Sequence, residues 1–247
     1  MKNDMLNLFP EQHQCMEIET LVFDILGTLV DEDGTLNREV VRILSHYGIE
    51  HNKAQTVADD WNKQNELNLH DIAVNKKSFI SKSEISLRSL TNVLQVNNIS
   101  LDTSDFEHLL NIGNYYEPWP EVPRQLTELT HLVRTIGLTN SGLDNASNFN
   151  YWGNLRWHGI LSTQLIRTYK PASEAYEFAI NTFNLTPRKT LFVAAHPWDL
   201  RAAASHGFQT AYIPRKYAGA PEPNDRFNYH LDSLDDLIKI IKIQKGI

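Results

Sequence analysis

The sequence predicts an α/β fold in which helices cover both faces of a parallel sheet. Short apolar runs of strand length alternate with stretches of helical periodicity, the pattern of a parallel sheet joined by helical crossovers. A chain of 247 residues has room for one large domain, or for a core with one modest insertion. Its composition, 41% hydrophobic and 21% charged residues, is that of an ordinary folded domain.

The first predicted strand covers Thr20 to Phe23 and ends at an acidic residue, Asp24. This run is short and apolar and is followed by Gly27, as expected for a buried strand that leads into a tight turn. From Glu39 to about Leu110 the pattern becomes helical, with apolar stripes at helical spacing and no strong strand between them. We therefore predict a helical insertion soon after the first strand.

Strand and helix alternate again beyond the prolines at positions 118, 120 and 123. Proline favours the first turn of a helix, and glycine favours the position just after its end. In chain order, we predict a helix through Leu126 and Leu129, a strand from Leu132 to Leu138, a turn at Asn140 to Gly142, a helix after Pro171, a strand from Thr190 to Ala195, a helix from about Trp198 to His206 that stops at Gly207, a strand from Gln209 to Ile213, and a terminal helix using Leu234, Leu237, Ile238 and Ile241.

The charge balance argues against two classes of partner. With 23 Lys and Arg against 30 Asp and Glu, the net charge of −7 opposes binding to nucleic acid or to an anionic membrane surface. No apolar stretch approaches the roughly 18 residues of a membrane span. The single Cys15 cannot form an internal disulfide, and the opening segment lacks the features of a secretory signal. We expect a cytoplasmic protein, and the sequence is compatible with a homodimer.

Polar residues follow several of the predicted strands. Because the carboxyl ends of parallel strands meet at one edge of a sheet, we expect these side chains to gather at a single rim. An Asp at a strand tip can act as a nucleophile, but it can equally cap a turn, just as an isolated Lys is commonly a solvated surface group. The rim candidates are Asp24, Thr139, Asn140, Lys170, His196 and Asp199.

Taken together, four segments resemble the ordered motifs of the haloacid dehalogenase superfamily. They are FDILGTLVD, LTNSG, Lys170 with Pro171, and VAAHPWDLRAA. The segments WPEVPRQLTEL and KPASEAYEFA are similar to the branch that contains the 2-haloacid dehalogenases. The resemblance implies a Rossmann-like parallel sheet core, residues 1–33 and 117–247, with an inserted helical cap domain, residues 34–116.

The resemblance also implies a role for each rim residue. Asp24 matches the nucleophile that forms a covalent ester, and Lys170 matches the cation that neutralises it. Asp199 matches the acid that orients Lys170 and the hydrolytic water. The remaining candidates match residues that hold the nucleophile or the substrate: Thr28, Thr139, Asn140, Ile25, Leu26, Asn62, Tyr176 and Trp198. For Tyr176 and Trp198, ordinary aromatic packing is an equally good interpretation.

Two departures from the phosphatases of this superfamily favour carbon–halogen chemistry. Those enzymes carry a second Asp two residues after the nucleophile, where this chain has Leu26. They also hold Mg²⁺ with an acidic pair in the fourth motif, where Asp199 is the one carboxylate among residues 195–199. We therefore expect no metal or other cofactor. Mg²⁺ would be needed only under the alternative of a Mg²⁺-dependent phosphatase.

Other departures separate the chain from the dehalogenases. His196 stands where those enzymes usually have Asn, and it could act as a base or simply hold the backbone of the helix entrance. Ala194 stands where they usually have Ser. Asn62 stands where they carry the arginine that binds the substrate carboxylate and the departing halide. The candidates to replace that arginine are Lys63, Lys76, Lys77 and Arg88.

The predicted function is therefore hydrolytic cleavage of the carbon–halogen bond in small 2-haloacids, with a small anionic organic molecule as substrate. Two alternatives remain at this point. One is the Mg²⁺-dependent phosphatase, and the other is a binding or regulatory protein that keeps the fold with weakened catalysis.

Overall fold

The structure is a computed structural model that describes residues 17–247, so Cys15 and the opening segment lie outside the described residues. Within this range six strands form one sheet, in the order β3-β2-β1-β4-β5-β6, and every neighbouring pair is parallel. The predicted α/β fold with a parallel sheet is thus confirmed. The strands are β1 Thr20–Phe23, β2 Arg134–Thr139, β3 Gly159–Ser162, β4 Thr190–Ala194, β5 Gln209–Tyr212 and β6 Tyr229–His230.

Nine α-helices occur in the same range. No helix of these residues is long and apolar enough to cross a membrane. The helices are α1 Glu32–His46, α2 His51–Ala73, α3 Lys82–Val96, α4 Thr103–Leu110, α5 Val122–Leu132, α6 Leu143–Trp152, α7 Ser173–Phe183, α8 Pro197–Ser205 and α9 Leu234–Lys245.

The sheet is buried on both faces, because apolar side chains leave its central strands in both directions. In β1 all four residues are buried; Leu21 and Phe23 join one core cluster and Val22 joins the other. The first cluster includes buried residues of α5 and α9, and the second includes buried residues of α7 and α8. Helices therefore cover both faces of the sheet, as predicted.

The insertion between β1 and β2 begins earlier than the hydrophobic pattern indicates. The first helix starts at Glu32, seven residues before the predicted Glu39, because the Asp31 side chain accepts a hydrogen bond from Gly34 N at 3.0 Å and caps it. Helices α1 to α4 pack on one another in this segment. A small apolar cluster around Leu69, Ile85 and Tyr169 joins α2 and α3 to the loop before α7.

Three elements were not predicted: β3, β6 and α6. The two strands are only four and two residues long, and β3 begins with a glycine. The α6 sequence contains three asparagines and buries only Ala146 and Phe149, so its helical periodicity is weak. The predicted strand from Leu132 is also displaced, because α5 continues through Leu132 and β2 begins at Arg134.

Candidate active site

Asp24 lies at the carboxyl end of β1 and is almost fully buried, with 4% of its surface exposed. The turn that follows reverses sharply at Gly27, whose φ of +73° is a conformation that favours glycine. A side chain there would also meet the His196 ring at 2.8 Å. This turn brings Thr28 back to the strand end, where its hydroxyl donates a 2.6 Å hydrogen bond to Asp24 Oδ2. Thr28 is itself held by the Ala195 N–H at 2.9 Å.

Lys170 lies between two buried carboxylates. Its Nζ donates to Asp24 Oδ1 at 2.7 Å and to Asp199 Oδ2 at 2.5 Å. The Tyr176 hydroxyl donates to the other Asp199 oxygen at 2.5 Å. An ammonium group has three N–H donors, so one remains on Lys170 after these two contacts. β1, the loop before α7, and α8 thus supply one charged network.

The charges of this network are mutually stabilised. Burial alone would raise the pKa of Asp24, but the charges of Lys170 and His196 and the bond from Thr28 outweigh burial and lower it. Burial would likewise lower the pKa of Lys170, yet Asp199 and Asp24 raise it. Burial and the charge of Asp24 raise the pKa of Asp199 despite the attraction of Lys170. Asp24 is therefore held as an anion and Lys170 as a cation.

The end of β2 fixes the segment that carries Lys170. Asn140 Oδ1 accepts hydrogen bonds from Lys170 N at 2.8 Å and from the Thr163 hydroxyl at 3.1 Å. Its Nδ2 donates back to the Lys170 carbonyl at 3.2 Å. Thr139 is fully buried, and its hydroxyl accepts from Ser141 N at 3.0 Å within the turn. Asn140 thus positions Lys170, whereas Thr139 stabilises the turn.

His196 lies at the end of β4, beside the nucleophile candidate. Its Nε2 is 3.1 Å from the Leu26 carbonyl and 3.8 Å from Asp24 Oδ2, and its ring stacks on Trp198. A carbonyl oxygen only accepts, so Nε2 carries a hydrogen. In the neutral ring the basic nitrogen is therefore Nδ1, which faces away from this contact.

A cavity of about 470 Å³ opens beside Asp24 and Lys170. Its walls come from the strand ends on one side and from α1, α2 and α3 on the other. The sequence-predicted residues that line it are Asp24, Leu26, Asn62, Asn140, Lys170, His196 and Trp198.

Five predicted residues lie behind this wall instead, and the fully buried Asp199 is one of them. Ile25 is fully buried against Gly137 and does not line the cavity. Tyr176 is also fully buried and acts on Asp199 rather than on a bound molecule. Thr28 and Thr139 are likewise buried without lining the cavity.

The expected replacements for the missing arginine are wrong. Lys63, Lys76, Lys77 and Arg88 do not line the cavity, and all four are exposed. Two of them are paired elsewhere: Lys77, in the connection between α2 and α3, contacts Asp71 at 2.9 Å, and Arg88 on α3 contacts Glu84 at 2.6 Å.

Sequence reasoning missed several cavity residues that lie on the inserted helices. Asn62 donates a short hydrogen bond to Asp33 Oδ1, and Glu66 follows one turn later on the same face of α2. Lys82, the first residue of α3, pairs with Glu32 at 2.6 Å. The spacing of positions 62, 66, 69 and 70 is that of one helix face and could have revealed the α2 residues. The missed cavity residues are Tyr217, which follows β5, and on these helices Glu32, Asp33, Glu66, Leu67, Leu69, His70 and Lys82.

The groups around Asp24 do not fit a divalent cation. Lys170 Nζ occupies the space between the Asp24 and Asp199 carboxylates, and His196 faces the Leu26 carbonyl. Among residues 17–247, no group of three or more His, Cys, Asp or Glu side chains is arranged to hold a metal ion. The oxygen atoms near Asp24 that could bind Mg²⁺ already accept the protein's own hydrogen bonds.

Comparison with known proteins agrees with this geometry. The family model for haloacid dehalogenase-like hydrolases matches residues 18–207. Haloacetate dehalogenase H-2 of Moraxella sp. (strain B) is 23% identical over 232 residues, which are 92% of this chain and 99% of that protein. (S)-2-haloacid dehalogenase 1 of Pseudomonas sp. (strain CBS-3) is 24% identical over 236 residues, 91% of this chain and 96% of that protein. The crystal structure of L-2-haloacid dehalogenase from Xanthobacter autotrophicus shares the fold, with a TM-score of 0.75 at 19% identity, over 91% of this chain and 98% of that one.

Proposed function

Because the chain belongs to the haloacid dehalogenase-like hydrolases, we propose that it hydrolyses the carbon–halogen bond of a small 2-haloacid, with Asp24 as nucleophile. The similarity to proteins named haloacetate dehalogenase and (S)-2-haloacid dehalogenase supports this substrate class. The observation that carries the proposal is the contact of Lys170 Nζ with Asp24 Oδ1 at 2.7 Å, on the wall of the cavity. This contact keeps the Asp24 carboxylate ionised on the wall of a cavity that a small molecule can enter.

In the first step, a lone pair of the Asp24 carboxylate attacks the carbon that bears the halogen. A carbon–oxygen bond forms as the carbon–halogen bond breaks, and the halide leaves with the bonding electrons. Attack from the side opposite the halide inverts the configuration of that carbon. The remaining N–H of Lys170 points toward the substrate carboxylate or the developing negative charge, where a preorganised cation is most effective.

In the second step, water attacks the Asp24 carbonyl carbon of the resulting ester. The oxygen that came from Asp24 leaves with the product as a hydroxyl group, taking one proton, and the second proton passes to solvent. Once Asp24 is esterified and neutral, Lys170 keeps only Asp199 as its charged partner. Asp199, fixed by the Tyr176 hydroxyl, then holds Lys170 close to the oxyanion that forms on the ester.

Three further expectations remain part of the proposal. The helical segment 34–116 serves as a cap over a core of residues 1–33 and 117–247, because helices α1 to α3 supply one wall of the cavity. The reaction needs no metal, because the possible ligands are engaged with Lys170 and His196. The protein works in the cytoplasm, as its single cysteine favours.

The test is a paired assay of halide and phosphate release, with and without excess chelator. We expect halide release from haloacetate and (S)-2-chloropropionate that survives the chelator and disappears in Asp24→Asn. Circular dichroism of the variant controls for unfolding. Phosphate release that depends on Mg²⁺, with no halide release from any haloacid, would contradict the proposal.

A further inference from the structure

The positive charges on the cavity wall are already committed to protein carboxylates. Lys170 contacts Asp24 and Asp199. Lys82 is bound to Glu32 at 2.6 Å, and these two side chains are only 14% and 13% exposed. Neither lysine is therefore free to balance a further negative charge on the part of a substrate that faces the helices.

Two carboxylates on the helical wall have no such partner. Asp33 and Glu66 both line the cavity, and within residues 17–247 neither forms a salt bridge. Asp33 accepts a hydrogen bond from the Asn62 amide. The residue at the position of the family's arginine therefore binds a carboxylate of the protein instead of the substrate. Among the described residues, the helical wall of the cavity thus carries two carboxylates without a cationic partner, and its nearest amide is engaged with one of them.

In the empty cavity, burial and the neighbouring negative charges disfavour the ionised forms of both acids. Burial, followed by the charges of Glu32 and Glu66, raises the pKa of Asp33 to about 7. Desolvation inside the cavity and the charge of Glu32 also raise the pKa of Glu66, although part of its side chain stays in contact with solvent. Lys82 and His196 act in the opposite direction on both groups but do not outweigh burial. A cation that entered the cavity would relieve this repulsion.

Helix stability does not account for both acids. Asp33 lies in the first turn of α1, where a carboxylate is favoured by the helix dipole. Glu66 lies in the interior of α2, more than a dozen residues from its start, where no such benefit exists. Its position one turn after Asn62 directs it to the same cavity as the nucleophile.

We propose that Asp33 and Glu66 determine the substrate specificity of this site by selecting a 2-haloacid that carries an ammonium group at the end remote from the reacting carbon. This inference rests on the proposed function. The reacting carbon and its carboxylate lie at Asp24 and Lys170, and the ammonium lies between Asp33 and Glu66. A cavity of about 470 Å³ accommodates such a molecule.

The experiment compares three (S)-2-chloroacids: 4-amino-2-chlorobutanoate, 2-chloropentanoate and 2-chloroglutarate. Their main chains contain the same number of atoms when the amino nitrogen is counted with the carbons. Their remote ends are an ammonium, a methyl group and a carboxylate. Chloride release is measured with and without enzyme, so that spontaneous loss is subtracted. We expect kcat/KM for the ammonium substrate to exceed that for the methyl substrate by about tenfold or more, and the dicarboxylate to be the poorest.

Matched variants identify the residues responsible. Asp33→Asn and Glu66→Gln keep the shape of each side chain and remove its charge. Each should reduce the ratio of kcat/KM for the ammonium substrate to kcat/KM for the methyl substrate, and the double variant should bring this ratio close to one. Asp59→Asn, an exposed position on α2 outside the cavity, should leave the ratio unchanged. A ratio that stays high in the double variant would overturn the assignment.

The outcomes separate this inference from the proposed function. Equal or better turnover of the methyl or dicarboxylate substrate would overturn the inference and leave the dehalogenase proposal standing. Absence of chloride release from every haloacid would overturn the dehalogenase proposal. Binding of the three corresponding (R)-2-hydroxyacid products, measured by calorimetry, needs no turnover. Tightest binding of the ammonium compound supports the inference, and equal binding of all three contradicts it.

Discussion

The pairing of Lys170 with two buried carboxylates gives one side chain two tasks. Its charge stabilises the ionised form of Asp24, and its position between Asp24 and Asp199 prevents the two acids from repelling each other across a buried space. Side-chain exposure of 1% for Lys170 means that solvent cannot replace it in either task.

Lys170→Met should therefore affect catalysis far more than an ordinary lysine substitution. We expect the chemical step to slow by about 10²–10³-fold, because a preorganised and buried charge is lost beside the nucleophile. Single-turnover halide release measures this step. Lys189→Met is the control, since Lys189 forms a half-exposed ion pair with Glu19 and should change little. Equal rates in the two variants would show that Lys170 has no part in the chemistry.

The raised pKa of Asp33 predicts a specific dependence of stability on pH. Burial raises the pKa of this carboxyl to about 7 in the folded chain, above its ordinary value of 3.8. The folded chain therefore holds a proton that the unfolded chain has lost between these values, and stability falls as pH rises through that range. Asp33→Asn removes this loss. As the pH rises from 5 to 8, the unfolding free energy of the variant should increase by about 1–3 kcal/mol relative to that of wild type. This range allows for solvent in the open cavity.

Urea unfolding at the two pH values measures this gain. Asp59→Asn on the exposed face of α2 provides the matched comparison and should show no such gain. A difference between Asp33→Asn and wild type that is the same at both pH values would show that the Asp33 carboxyl is not perturbed.

At the scale of elements, the loops that connect the inserted helices to the sheet are held by one arginine. Arg215 follows β5, and its Nε donates to the Thr28 carbonyl at 2.9 Å. Its Nη1 contacts Glu121 at 2.6 Å, and its guanidinium lies 5.2 Å from the centre of the Trp119 ring. Arg215 thus joins the turn after the nucleophile to the segment that returns from the insertion.

Arg215→Gln should destabilise the chain by about 2–4 kcal/mol, because it removes a mostly buried charge and leaves its partners unpaired. Arg124→Gln is the comparison. Arg124 pairs with Glu128 and Asp235 at the surface, and its loss should cost less than about 1 kcal/mol. Chemical denaturation of both variants distinguishes them, and similar losses would mean that Arg215 does not hold the two loops together.

The α2 face offers a second prediction at this scale. Asn62→Arg would place a guanidinium beside Asp33 and Glu66, where it offsets their charges and provides a donor for an anion. We expect halide release from short 2-haloacids to rise and the preference for a remote ammonium to fall. Steady-state assays with (S)-2-chloropropionate and 4-amino-2-chlorobutanoate test both changes. An unchanged preference would show that the residue at position 62 does not face the substrate.

At the scale of the whole molecule, sheet order explains which site residues the sequence could reveal. β1 lies between β2 and β4, so the residues that follow these three strands meet at one rim. The rule for parallel strands therefore predicted the meeting of Asp24, Asn140 and His196 from the sequence. Lys170 and Asp199 were also rim candidates, but their roles required the motif resemblance, because the neighbouring residues reveal neither the burial nor the pairing of these two side chains.

The opposite wall of the cavity was not predictable in the same way. Asp33 and Glu66 lie on different helices, and their approach depends on how α1 packs against α2 and how both pack over the sheet. Periodicity marks the buried stripe of each helix but does not specify which polar residues beside that stripe face a cavity. The same limit explains why the four basic candidates on α2, on α3 and in the connection between them were wrong and Lys82 was missed.

The measurement that tests the central claim most directly is a single turnover in ¹⁸O-labelled water with enzyme in excess over (S)-2-chloropropionate. If Asp24 is the nucleophile, the product hydroxyl comes from the unlabelled carboxylate, and mass spectrometry finds ¹⁸O in the peptide that contains Asp24. Product that carries ¹⁸O after this first turnover, with an unlabelled Asp24 peptide, would show that water attacks the substrate directly and would contradict the account.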